Sequence, residues 1–136
     1  LLMAREAYDQ AGVRADVEAF IADMAGAYAW ADLVICRAGA LTVCELAAAG
    51  RPSLLIPLPH AIDDHQTANA RYLADRGAAV LMPQAQLDDE QLANTLINYM
   101  NNSELLQQMA ERAREQATPN ATADVVRACL EVAREH

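Results

Sequence analysis

The sequence predicts an α/β domain: a Rossmann-like parallel sheet with flanking helices and a helical C-terminal tail. Three observations predict it. Short runs rich in Val, Leu and Ile alternate with longer Ala-rich stretches whose apolar residues recur at helical spacing. The two middle runs are unbroken, as expected of parallel strands covered on both faces. After the fourth run the alternation stops, and only helical patterns follow.

In chain order, Val17 to Phe20 is the first strand candidate, and Ile21, Met24, Tyr28 and Ala31 mark one face of a helix. Leu33 to Cys36 is the second strand. Leu41 to Ala49 is a helix closed by Gly50 and Pro52. Leu54 to Ile56 is the third strand, and a helix starting near Asp63 or Asp64 runs to Gly77. Ala79 to Met82 completes a four-strand set. Helices then start at Asp88, Ser103 and Asn120. The stripe Leu105, Leu106, Met109 and Ala113 reads as core, as do Tyr28 and Trp30. Leu1-Leu2-Met3 reads as the middle of a helix, which suggests a segment of a longer product. The glycines at 12, 26, 39, 50 and 77 form neither a G-x-G-x-x-G nor a G-x-x-x-x-G-K pattern, so the usual first strand and phosphate loop of a doubly wound sheet are absent.

Composition narrows the function classes. With 136 residues, 54% hydrophobic and 21% charged, the chain suits one compact domain. Its 19 acidic against 10 basic residues give a formal charge of −9, which repels nucleic acid and anionic membranes. Cys36, Cys44 and Cys129 have no C-x-x-C spacing, which favours a reducing compartment over a disulfide framework or a zinc ribbon. No apolar run approaches the roughly 20 residues of a spanning helix, and the N-terminus lacks a signal-peptide pattern.

Two segments could carry chemistry. Cys36-Arg37-Ala38-Gly39-Ala40-Leu41-Thr42-Val43-Cys44-Glu45 runs from a strand end through a Gly turn into a helix start, a place that suits a phosphate. Thr42 and Glu45 have the spacing of a capping box. The same spacing lets the hydroxyl meet a phosphate while the carboxylate accepts two hydrogen bonds from a sugar diol. Arg37 could pair with a phosphate or with one of the many carboxylates. Pro57 to Ala70 is a polar loop leading into a helix at the same sheet edge. Its Asp63, Asp64 and His65 are neighbours that cannot all point at one metal, so helix capping by an Asp is the simpler reading. Gln66 and Asn69 share a helix face, where amides could read sugar hydroxyls or face water. His60 and His65 lack a nucleophile in any triad order. Cys44 reads as a small buried filler or a thiol near a binding site.

These segments resemble the MurG family, bacterial N-acetylglucosaminyltransferases of peptidoglycan synthesis. The likeness runs from Ala29-Trp30-Ala31-Asp32 through Glu45, from Pro57-Leu58-Pro59-His60 through Asp64-His65-Gln66-Thr67-Ala68-Asn69-Ala70, and on through Asp75-Arg76-Gly77-Ala78-Ala79 to Met109-Ala110-Glu111-Arg112-Ala113. It implies that residues 1–136 are the C-terminal, UDP-N-acetylglucosamine-binding half of a GT-B glycosyltransferase, incomplete at the N-terminus. The implied substrate-binding set is Ile21, Ala40, Leu41, Thr42, Val43, Cys44, Glu45 and Gln66. In it the Ile21 backbone reads uracil, Ala40 to Thr42 line the diphosphate, Glu45 holds the ribose hydroxyls and Gln66 meets the N-acetylglucosamine hydroxyls, with His65 and Asn69 as neighbours. Ala38 and Cys44 stand where the family often has Ser. The implied reaction is inverting transfer from UDP to lipid-linked muramoyl-pentapeptide, lipid I to lipid II. It implies no cofactor, no obligatory metal and no catalytic base in this chain. The acceptor, and a peripheral contact with the cytoplasmic face of the bacterial inner membrane, would belong to the other half. The alternatives are a non-catalytic nucleotide-sugar-binding subunit of a membrane partner and a UDP-N-acetylglucosamine epimerase-like enzyme.

Overall fold

A computed structural model describes residues 1–59, 64–118 and 121–134. The chain divides into two compact units, Leu1–Trp30 and Ala31–His136.

The first unit holds helices α1 (Leu2–Gln10) and α2 (Met24–Trp30). Gly12, at φ 67°, turns the chain after α1, and the Val13 amide bonds back to the Tyr8 carbonyl at 3.0 Å. Asp23 starts α2 by accepting from the Gly26 amide at 2.9 Å. Val17 to Phe20, expected as a strand, forms none. A strand exists only through the ladder it shares with a neighbour, and here the Arg5 guanidinium takes the Val17 carbonyl at 2.9 Å instead. Tyr28 is buried as expected, but Trp30 is 85% exposed. Residues two apart on a helix point in nearly opposite directions, so they could not both face the core.

The second unit carries strands β1 (Val34–Cys36), β2 (Ser53–Leu55) and β3 (Ala79–Leu81) in the order β1-β2-β3, all parallel. Three strands, not four, make up the sheet among the described residues. Ile35 faces Leu54, which faces Val80 across the register. The ladder extends past the strand ends, with Ile56 donating to Cys36 and Met82 to Leu55, both at 2.9 Å. Central β2 is wholly buried, whereas Ile35 on edge strand β1 is 43% exposed. Only one of the two middle runs is therefore covered on both faces. Ser53, fully buried in β2, has a hydroxyl with no hydrogen-bond partner among the described residues.

Parallel strands need crossovers, and helices α3 (Ala40–Ala49) and α4 (His65–Ala74) supply them. A 3₁₀ turn (Gln84–Gln86) follows β3, then α5 (Asp89–Met100), α6 (Ser103–Glu115) and α7 (Ala121–Arg134). The expected start of α7 at Asn120 lies outside the described residues. Of the core stripe expected on α6, Met109 and Ala113 are buried and Leu105 and Leu106 half-buried, and α6 packs on α3. The side chains of α7 described, 126–133, are exposed.

The link between α6 and the crossovers is specific. Both α3 and α4 are followed by a left-handed glycine, Gly50 at φ 62° and Gly77 at φ 73°. A Cβ at Gly50 would lie 2.3 Å from the Cγ of Arg114, and one at Gly77 would lie 2.4 Å from a guanidinium nitrogen of Arg112. The two arginines of α6 therefore rest on the ends of the two crossover segments, where cations complement unpaired carbonyls.

Candidate functional site

In parallel sheets of this kind, ligands bind outside the carboxyl ends of the strands. At that edge the turn between β1 and α3, residues 37–39, is held from two sides. On one side Nη1 of Arg37 donates to Gln84 Oε1 at 2.7 Å and to the carbonyls of Pro57 at 3.2 Å and Ile56 at 3.3 Å. Among the described residues this side chain thus bonds no carboxylate, one of the two partners the sequence suggested. It pins β1's loop to the end of β2 and to the 3₁₀ turn.

On the other side stands α4. Gln66 Oε1 accepts from the amides of Leu58, at 2.8 Å, and Ala38, at 3.2 Å, while Asn69 Nδ2 donates to the Ala38 carbonyl at 3.0 Å. Both partners of Gln66 are N–H donors, which fixes the orientation of its amide: the oxygen is used, and Nε2 has no partner among the described residues. Ala38 is fully buried with both its backbone polar groups satisfied by side chains 28 and 31 residues away. Asp64 caps α4 through the Thr67 amide at 3.4 Å, as an Asp was expected to do, in a left-handed conformation with φ 43° that Asp tolerates better than most residues. The alternative start Asp63, with His60, lies outside the described residues. His65 is the exposed first residue of α4 and is engaged within the chain.

The start of α3 is where the sequence and the structure part. The capping box would place Thr42 before the first helical turn. Instead Gly39 is the N-cap, with no side-chain cap, so Thr42 is the third helical residue and Glu45 the sixth. The first helical bond runs from the Val43 amide to the Gly39 carbonyl at 3.0 Å. The amides of Gly39, Ala40, Leu41 and Thr42 have no partner among the described residues. Four N–H groups at the positive end of a helix therefore meet the sheet's carboxyl edge unclaimed.

The other candidate residues are distributed around this point. Ala40, Leu41 and Cys44 are exposed, Thr42 and Glu45 half-buried, and Val43 turns its side chain into the core. Glu45 is engaged within the chain. A cleft of about 420 Å³ runs between α3 and α4, lined by Ala40, Cys44, Ala47, Ala68, Asn69 and Tyr72. Sequence reading missed Tyr72, although its spacing from Ala68 and Asn69 puts it on one face of α4. Its ring is held by the Arg76 guanidinium, 4.1 Å from the ring centre. Burial pushes the Cys36 thiol up to about 11, so it is a poor nucleophile, whereas Cys44 opens on the cleft. Ile21 belongs to the first unit, exposed, with neither backbone group bonded to a described residue. Among the described residues no group of three or more His, Cys, Asp or Glu is arranged to hold a metal, and no helix is long and apolar enough to cross a membrane.

Comparison with known proteins places this arrangement. Residues 3–125 match the glycosyltransferase family 28 C-terminal domain. The chain belongs to that family. As a family 28 domain it is 66% identical over 126 residues to the UDP-N-acetylglucosamine--N-acetylmuramyl-(pentapeptide) pyrophosphoryl-undecaprenol N-acetylglucosamine transferase of Stutzerimonas stutzeri (strain A1501), which covers 93% of this chain and 35% of that protein. It is 64% identical over 128 residues to the protein of the same name in Pseudomonas putida (strain W619), covering 94% of this chain and 36% of that one. The crystal structure of Acinetobacter baumannii MurG matches with a TM-score of 0.78 at 52% identity, over 85% of this chain and 33% of that one. The family 28 chain thus spans about a third of the length of the relatives it matches. The likeness read in the sequence from Ala29 to Ala113 agrees with a family match over residues 3–125, and the Rossmann-like α/β class stands with it.

Proposed function

We propose that this chain is the donor-binding part of an inverting glycosyltransferase that moves N-acetylglucosamine from UDP-N-acetylglucosamine to lipid-linked muramoyl-pentapeptide, as the names of its relatives describe. The observation that carries the reading is the open start of α3, four free amides at the carboxyl edge of a parallel sheet, inside a chain 66% identical to such a transferase.

The amides of Ala40, Leu41 and Thr42 take the diphosphate, with the Thr42 hydroxyl beside them. Val43 takes part through its backbone and Cys44 as a small neighbour. Glu45 accepts two hydrogen bonds from the ribose diol, one helical turn further on. Gln66 has spent its oxygen on the two loops, so it meets a sugar hydroxyl as a donor through Nε2. To Ile21 we assign the backbone contact with the uracil edge.

In the transfer, the acceptor hydroxyl oxygen bonds to the anomeric carbon while the bond from that carbon to the β-phosphate oxygen breaks. The electron pair departs on UDP, and the hydroxyl proton passes to a base that we place outside this chain. Charge grows on the leaving diphosphate, and fixed N–H groups at a helix start stabilise charge at that position without reorganising. The reading therefore requires neither metal nor cofactor. The acceptor, and peripheral contact with the cytoplasmic face of the inner membrane, we place outside this chain, whose own charge of −9 disfavours an anionic surface.

An NMR titration with UDP-N-acetylglucosamine, with ADP-glucose as control, tests the reading. Selective shifts of the amides of Ile21, Ala40 to Glu45 and Gln66 are the expected result. A well-dispersed spectrum unmoved by the donor, both in this chain and in the longer protein, overturns it.

A further inference from the structure

Helix α3 begins at Ala40 and leaves the amides of Gly39 to Thr42 without partners among the described residues. A helix extends toward its N-terminus whenever the next carbonyl is free to accept. Here that carbonyl is Ala38, which the Thr42 amide would reach four residues ahead. It is already taken, by Asn69 Nδ2 at 3.0 Å, while the Ala38 amide is taken by Gln66 at 3.2 Å. In a trans peptide the C=O and the following N–H point in opposite directions. A carbonyl drawn toward α4 therefore directs the Gly39 amide away from α4. Ala38 is fully buried, so this peptide plane is packed as well as bonded.

We propose that Asn69 is a positioning residue: by claiming the Ala38 carbonyl it stops α3 one residue short and keeps the Thr42 amide available to a diphosphate beside those of Gly39 to Leu41. This deepens the reading above and rests on it. Asn69 acts here through one N–H of Nδ2, given to the backbone, and Gln66 through its oxygen. Asn69 thereby couples α4 to the phosphate-facing turn of α3.

The test compares UDP with uridine, which lacks the diphosphate, on the intact protein and its Asn69→Leu variant, a change that keeps side-chain size and adds no charge. Loss of the bond lets Ala38 swing toward Thr42, so affinity for UDP falls about tenfold, the scale of one hydrogen bond to a charged group. Affinity for uridine stays within about twofold. In the ligand-free variant the amide resonances of Gly39 to Thr42 move while those of β2 and β3 stay. Should Asn69→Leu fail to fold, Asn69→Ser, which keeps a short donor, is expected to show a smaller loss in the same ratio. Unchanged UDP affinity in a folded variant, or equal losses for UDP and uridine, overturns the proposal. Absence of UDP binding by the unaltered protein overturns instead the donor-site reading on which it stands.

Discussion

Two kinds of helix start stand side by side in the second unit. α4, α5 and α6 are each closed by an Asp or Asn side chain: Asp64 on Thr67 at 3.4 Å, Asp88 on Gln91 at 2.7 Å and Asn102 on Leu105 at 3.1 Å. α3 begins at Gly39 with nothing closing it. Of the four orphan amides at each start, one is taken by a side chain in these three helices and none in α3. The difference is one of sequence and not of space, since the backbone at Gly39 has room for the side chain of Ser, Asn or Asp.

Adding the cap that α3 lacks breaks the comparison most sharply. Gly39 has an ordinary φ of −61°, and a Cβ there would meet only Thr42 Oγ1 at 3.8 Å, so Gly39→Asp is tolerated. The carboxylate occupies the amides and repels a diphosphate. UDP affinity is expected to fall by about 3 kcal/mol in isothermal titration while the fold gains a few tenths of a kcal/mol. Undiminished UDP binding would show that the open start is not the phosphate site.

Glu45→Gln asks whether the turn after those amides holds ribose. The expected loss of UDP affinity is about 1 to 3 kcal/mol, with the thermal midpoint nearly kept. Because Glu45 lies beyond the first turn, a capping role no longer competes with the ribose role. An affinity equal to the parent's would remove the assignment.

The opposite control is Asp88→Ala. It removes the shortest of the three caps and should lower stability by about 1 kcal/mol in denaturant unfolding, with UDP affinity unchanged. A matching drop in UDP affinity would mean that helix starts throughout this unit report general stability and not separate roles.

How much of this could be read from the residues follows the range of the interactions. Asp88 starting a helix and Gly50 ending one are decided within four residues, and both were legible. Val17 to Phe20 was not, because a strand depends on a partner that the segment itself does not name. The T-x-x-E spacing of Thr42 and Glu45 was misleading for a related reason. The register of α3 is set by Asn69 and Gln66, far along the chain, and no local pattern carries that information. That a helix starts just after the Gly turn behind the strand ending at Cys36 was visible from the Gly turn alone. The division of Gln66 into a used oxygen and a spare nitrogen required coordinates.

The seating of α6 has a consequence for how this sequence can change. Arg112 and Arg114 rest where Gly77 and Gly50 lack side chains, so each glycine and its arginine form one unit of inheritance. A side chain gained at either glycine evicts the arginine and strains a left-handed turn together, and a single exchange on α6 cannot repair the second fault. Drift in α6 is therefore tethered to two positions at the far ends of the crossovers.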